Sequence, residues 1–158
     1  MQGSQGAWTA PEPLVGPAPG VEFASPGARL IAYIVDVVIQ GILALGLILV
    51  SFVFAFIFPP LFILGVVAWL AIAIGYFPYF WSKSGQTPGM KMMQIKIVRD
   101  VDGGPVTSGQ AILRLIGYWV SGLVFYLGYI WIFIDKRRRG WMDLIAGTIV
   151  IAAPDRHP

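Results

Sequence analysis

Cysteine is absent from the 158 residues. That excludes disulfides, thiolate catalysis and thiolate metal ligation together. Histidine occurs once, as His157, apart from every apolar segment, so imidazole-based metal binding and acid–base catalysis have almost nothing to draw on. Charge is also scarce. Only 12% of residues are charged, against roughly a quarter in ordinary soluble domains. No nucleophile–base pair is visible, so neither an enzyme nor a metal or other cofactor is expected. The net charge of +3 comes from 11 basic residues that gather beside apolar segments. That is the pattern of membrane-surface charge, not of nucleic-acid binding.

Apolar length is what the chain has in abundance. Hydrophobic residues make up 57% of it. A bilayer crossing takes ~20 apolar residues at ~1.5 Å each. Three stretches qualify: Leu30–Phe58, Leu61–Trp81 and Leu115–Ile134, the last two free of charge. Little remains for a separate soluble domain. The expected organisation is a Pro/Gly-rich disordered tail over 1–27, one transmembrane domain over 28–153 and a short C-terminal tail over 154–158. Met1–Gly27 carries two glutamates and no lysine or arginine. It therefore does not read as a secretory signal, and it has too little apolar surface to order itself.

The first helix is expected from about Ala28 to about Phe58, stopped by Pro59 and Pro60, which lack an N–H and clash with the preceding turn. The second returns antiparallel to about Trp81. Trp69, Tyr76, Tyr79 and Trp81 near its end suggest an interfacial aromatic belt. Ser51 with Ala55, and Ala71 with Gly75, are small pairs four residues apart that let helices approach, or are simply the small residues common in membrane helices.

Beyond the second helix, Met93–Arg99 alternates with period two, and Gly147–Ile151 is short and β-branched. Both read as strands, and they are expected to pair. The pairing bears on topology. Lys83, Lys91, Lys96 and Arg99 precede the third apolar segment, and Lys136, Arg137, Arg138 and Arg139 follow it. Basic flanks of equal strength both belong in the cytoplasm, which one plain crossing cannot satisfy. A re-entrant or broken helix can, with Gly117, Gly122 and Gly128 as places to break it. The rival is three plain crossings with the C-terminus outside. The fold class is thus an all-α membrane protein: two antiparallel transmembrane helices, a third apolar segment that crosses or re-enters, and a small cytoplasmic β-hairpin or two-strand element.

Polar residues inside the first apolar run are few and aligned. Arg29, Tyr33, Asp36 and Gln40 are spaced 4, 3 and 4 apart, one face of a helix. A carboxylate in hydrocarbon costs roughly 2.5–3.5 kcal/mol, so Asp36 needs a partner or a protonated state. Arg29 lies two turns away, ~10.5 Å along the axis, too far for easy contact. The candidates are Tyr33, Gln40, water or a cation from elsewhere, Arg114 first among them. Asp143, after the Lys136–Arg139 cluster, either caps local backbone, pairs with Arg114 or Arg137–Arg139, or completes a site with Asp36. Asp100, Asp102 and Asp135 read as solvated turn residues. Gly85-Gln86-Thr87-Pro88-Gly89-Met90-Lys91 lacks phosphate-loop spacing and reads as a turn leaving the second helix.

These residues carry a resemblance. Ala28-Arg29-Leu30-Ile31-Ala32-Tyr33-Ile34-Val35-Asp36, then Ser84–Lys91, Ile95–Val98, Asp102–Val106 and Gly140-Trp141-Met142-Asp143-Leu144-Ile145-Ala146-Gly147-Thr148 resemble the RDD family of bacterial membrane proteins, named for one arginine and two aspartates. The resemblance runs from about Ala24 to Ala152. It aligns Arg29, Asp36 and Asp143 with the signature, and Met142 departs from the histidine frequent before the second aspartate. It implies a multi-pass protein of the plasma (inner) membrane, N-terminus cytoplasmic, that assists transport of a cation or small solute. The alternative is a non-transporting scaffold or accessory subunit in which Arg29, Asp36 and Asp143 are structural. Expected partners are the bilayer, anionic headgroups at Lys136, Arg137, Arg138 and Arg139, and a second copy or another membrane protein.

Overall fold

The computed structural model describes residues 16–18 and 20–153. The first helix, α1, spans Pro26–Ala55. The Ser25 hydroxyl accepts the N–H of Ala28 at 3.1 Å, and Pro26 suits the first helical position because its missing N–H would have no helical partner there. The helix ends three residues before the expected Phe58, in a turn ahead of Pro59. A residue preceding proline is pushed out of helical backbone. Helix α2, Pro60–Ser84, returns antiparallel to α1 and is closed by Gly85 at φ 72°. A Cβ on Gly85 would stand 2.7 Å from the Ile97 carbonyl oxygen, so glycine is required for conformation and for space.

Between α1 and α2 the close approach is Ser51 against Gly65, where an added Cβ would meet Ser51 Oγ at 1.8 Å. Ala71 and Gly75 are exposed and take no part in it. The aromatic belt needs correction too. Tyr79 is exposed, but Tyr76 and Trp81 are buried in the interior, because the loop after α2 folds back over them. Away from that loop α1 and α2 present apolar faces outward, with Val53 63% and Ile63 65% exposed. Both helices are long and apolar enough to span a bilayer.

The returning loop contains α3, Pro88–Met92, and β1, Ile95–Arg99. Thr87 caps α3 by accepting the Met90 N–H at 3.2 Å. Strand β1 pairs antiparallel with β2, Thr148–Ala152, in a register that sets Ile95 opposite Ala152 and Arg99 opposite Thr148. The two-strand element is therefore present, and it is no hairpin: the whole third apolar segment lies between its strands. The free edge of β2 takes up the segment ahead of α1. The Ala24 N–H donates to Val150 O at 2.9 Å and the Ala152 N–H to Glu22 O at 2.8 Å. Phe23 and Ala24 are buried. Residues 22–24 of the expected tail are thus bonded to β2, and the expectation over 1–15 lies outside the described residues, as do 154–158 with His157.

The third apolar segment is broken. Helix α4, Ser108–Leu123, meets α5, Leu127–Ile134, at 103°. The break falls at Val124–Tyr126, with φ 49° at Phe125 and 60° at Tyr126, and not at a glycine. Gly117 and Gly128 serve contact instead. A Cβ on Gly117 would meet Met142 Cα at 2.5 Å and one on Gly128 would meet Ser121 Oγ at 2.1 Å. Both ends of the bent pair lie at the sheet. Gln110 near the start of α4 donates to Ala146 O at 3.2 Å. Just past α5, Arg139 reaches Asp100, next to β1, at 3.1 Å. Helix α6, Trp141–Ala146, ends at Gly147 with φ 64° and turns straight into β2.

Candidate functional site

Two buried acids lie near the start of α1, and the fold treats them differently. Asp143 on α6 is fully buried. Arg29 Nη1 donates to its Oδ2 at 2.7 Å, Arg114 Nη1 donates to its Oδ1, and the Gly140 N–H donates to Oδ2 at 2.9 Å. Arg114 Nη1 also reaches Thr148 Oγ1 at 2.7 Å. The guanidinium of Arg114 lies 5.2 Å from the Trp81 ring centre and 5.9 Å from that of Tyr118, which adds cation–π attraction in a desolvated setting. Burial by itself raises a carboxyl pKa, but Arg114 and Arg29 outweigh it and hold Asp143 below the ordinary carboxylate range. One acid thus ties the first turn of α1, the middle of α4 and the start of α6 together.

Asp36 has 1% of its surface exposed and takes no cation. Among the described residues its partners are neutral donors: the Tyr76 hydroxyl at 2.9 Å and the Gly89 N–H at 2.9 Å on Oδ1, and the Thr87 hydroxyl on Oδ2. Gly89 is held tightly in place, since an added Cβ would stand 2.2 Å from Ala32 O and 3.0 Å from Asp36 Cγ. The loop motif read as a plain turn is therefore the clamp on the α1 carboxylate. Its threonine caps α3 and bonds Asp36 with the same hydroxyl.

The structure thus joins Arg29, Arg114 and Asp143 and leaves Asp36 outside that group. Arg114, a candidate partner for either Asp36 or Asp143, binds Asp143. Tyr33 gives Asp36 no hydrogen bond; its ring stacks on Phe77 at 6.0 Å and on Tyr118 at 6.2 Å. Gln40 is half-buried on the same helix face and bonds neither acid. Sequence reasoning missed Tyr76, Thr87 and Gly89. The usable signal was the Thr87-Pro88-Gly89 run: a capping hydroxyl and free N–H groups suit a carboxylate.

Arg29, Tyr33, Asp36, Trp81, Arg114 and Tyr118 border one small cavity of about 30 Å³. Three buried N–H groups on those side chains have no partner: Arg29 Nε, Arg114 Nε and Trp81 Nε1. The cavity has room for a water-sized group, and the Asp36 side chain borders it.

A second charge cluster lies at the sheet. Arg139 binds Asp135 through Nε at 3.0 Å and Nη2 at 3.1 Å, and Asp100 through Nη1 at 3.1 Å. Arg137 Nη1 donates to Asp100 Oδ2 at 3.0 Å. The bidentate hydrogen bond from Arg139 lowers the Asp135 pKa. Asp100 and Asp135 are thus half-buried partners of arginine, not solvated turn residues. Asp102 does stay exposed, 2.8 Å from Arg99. Of the four basic residues expected at headgroups, Arg137 and Arg139 are engaged within the chain, and Lys136 is exposed.

The chain is 37% identical over 70 residues to the Uncharacterized protein YxaI of Bacillus subtilis (strain 168), covering 44% of this chain and 45% of that one. It is 23% identical over 87 residues to the Proline-rich antigen of Mycobacterium leprae (strain TN), covering 53% and 35%. It is 21% identical over 82 residues to the Proline-rich antigen homolog of Mycobacterium tuberculosis (strain ATCC 25618 / H37Rv), covering 52% and 34%. In each case the match spans less than half the length of the relative. No solved structure matches the chain. The family model described as RDD family matches residues 23–147, which include Arg29, Asp36 and Asp143. With most of its length under that model, and with the arginine and two aspartates buried at the meeting point of its helices, the chain belongs to the RDD family.

Proposed function

We propose that this RDD-family membrane protein is a non-transporting scaffold or accessory subunit, and that Arg29, Asp36 and Asp143 hold its helices in register. One observation carries this reading: the polar groups converging on the two acids are donors. A cation site needs several oxygen acceptors pointing inward. Here Tyr76, Thr87 and Gly89 aim hydrogens at Asp36, and Arg29 and Arg114 neutralise Asp143. Passage of a cation or small solute is the second reading. It draws on the cavity touching Asp36, and it needs a second copy to enclose a path.

Topology follows from the same contacts. Arg139 and Asp100 join the two basic flanks at one end of the molecule, which supports a re-entrant α4–α5 with both flanks, the sheet and both termini on the cytoplasmic side of the plasma membrane. Exposed Lys136 then faces anionic headgroups.

Flux measured in liposomes tests the assignment. Sodium or proton movement is expected to match protein-free vesicles, and Asp36→Asn is expected to lower the melting temperature in detergent. Flux that disappears in Asp36→Asn while the melting temperature holds would establish the transport reading instead. A reporter fused after Pro158 is expected to read cytoplasmic.

A further inference from the structure

Of the polar seam on α1, Arg29, Tyr33 and Asp36 all find partners within the chain, and Gln40 does not. Gln40 is half-buried and makes no hydrogen bond among the described residues. Its carboxamide nitrogen and oxygen both reach the molecular surface. It stands at the midpoint of Pro26–Ala55. At ~1.5 Å per residue that helix is ~45 Å long, and the hydrocarbon layer is ~30 Å thick. With α1 as a span, the surface at Gln40 is therefore hydrocarbon. A carboxamide carries two donors and an acceptor, and hydrocarbon satisfies none of them.

Helix α4 stops short of covering this group. Asp143 joins Arg29 to Arg114, and four residues on in each helix Tyr33 stacks on Tyr118 at 6.2 Å. The two helices therefore run in the same direction. From Tyr118, α4 has five residues left before it ends at Leu123, which is 83% exposed. Gln40 lies seven residues beyond Tyr33, on the same side of α1. Its neighbours there are small or open. Val37 is 45% exposed, Ala44 is half-buried, and a Cβ added to exposed Gly41 meets nothing within 4 Å.

We propose that Val37, Gln40, Gly41 and Ala44 form the contact between two copies of the chain, Gln40 donating to and accepting from the partner's Gln40 across a twofold axis. The chemistry selects a second copy. A carboxamide is its own hydrogen-bonding complement, a twofold axis sets a residue against itself, and copies inserted in one bilayer hold it at one depth. Lipid tails offer no hydrogen bond, and lipid headgroups lie outside the hydrocarbon layer. Gly41 and Ala44 let the backbones approach until the amides meet.

The chain has no cysteine, so single introduced cysteines report the contact. Ala44→Cys lies in the stripe. Gly46→Cys is exposed and turned about 200° away around the helix. The full chain, tagged at its C-terminus, is placed in phosphatidylcholine–phosphatidylglycerol liposomes. Association is read by energy transfer between copies on dilution in lipid, beside oxidative crosslinking and the melting temperature in detergent. The expected result is a reversible dimer, at least tenfold weaker in Gln40→Leu with an unchanged melting temperature and partly restored in Gln40→Asn, with crosslinking of Ala44→Cys and not of Gly46→Cys. A wild type that stays monomeric would overturn the proposal, as would undiminished association of Gln40→Leu. Crosslinking of Gly46→Cys as fast as Ala44→Cys would also overturn it. None of these readouts is ion flux, so failure here leaves the scaffold reading standing.

Discussion

Asp143 and Asp36 are both buried carboxylates of the same small protein, yet their surroundings have little in common. Asp143 is held by two arginines and a backbone N–H. Asp36 is held by two hydroxyls and a backbone N–H, with no cation in its shell. The difference is in what each removal leaves behind. Without Asp143, two guanidiniums stay buried and unpaired, and an isolated buried charge is among the costliest things a fold can contain. Without the Asp36 charge, the orphans are neutral donors that can turn or take up water. The first arrangement joins α1, α4 and α6 through electrostatics in a desolvated setting. The second joins α1, α2 and α3 through hydrogen-bond geometry. A shared signature name thus covers two kinds of fastening.

The largest effect should come from breaking the charged side of that contrast. Asp143→Ala is expected to cost about 3–5 kcal/mol, read as a drop in the denaturation midpoint in detergent. The cost is pH-dependent in a defined direction. Because the folded pKa lies below the unfolded one, the contribution of Asp143 is complete above the usual carboxylate value of about 3.9 and is lost as pH falls through the lower folded value. Wild type and Asp143→Ala should therefore differ fully at neutral pH and converge only in stronger acid.

Steric disruption of the Asp36 clamp comes next. Gly89→Ala drives a methyl group toward Ala32 O and Asp36 Cγ and is expected to cost about 3 kcal/mol, the upper part of the usual overpacking range. Asp36→Asn keeps shape and loses charge. Its amide turns a donor toward a donor, for about 2 kcal/mol. A loss as large as that of Asp143→Ala would erase the contrast between the two acids. Arg137→Gln, at the part-exposed cluster, should shift stability by less than about 1 kcal/mol, and added salt should shrink that further.

Much of this was legible in the residues because it rests on local rules. The turn between α1 and α2 follows from Pro59 and Pro60, whose backbone preferences act within a turn, while α2 runs three residues past the expected Trp81 to its glycine stop at Gly85. The two strands follow from alternation and β-branching, and their pairing from the lack of any other strand-like run. Asp36, with Arg29 at the mouth of its run, stood out because polar residues in apolar stretches are few, whereas Asp143 was marked by the family resemblance. Other features were not legible. Period alone set Tyr33, Asp36 and Gln40 on one face, but Tyr33 went to aromatic stacking and Gln40 to neither acid. Glycine content pointed to Gly117, Gly122 or Gly128 as the break in the third segment, yet two bulky residues, Phe125 and Tyr126, hold the positive φ angles.

Composition and spacing by themselves determined that this chain carries helices apolar enough to span a membrane, roughly where the first two lie, and that Asp36 had to be shielded from lipid. Those are properties of single segments set against water or hydrocarbon, and a segment carries them wherever it sits. Only the tertiary structure decided that Arg114 belongs to Asp143 and that Thr87 and Gly89 close over Asp36. Pairing across 29 or 53 residues depends on the angle and depth at which helices cross, and those are set by close contacts such as Gly117 against Met142 and Gly89 against Ala32, which no one segment encodes.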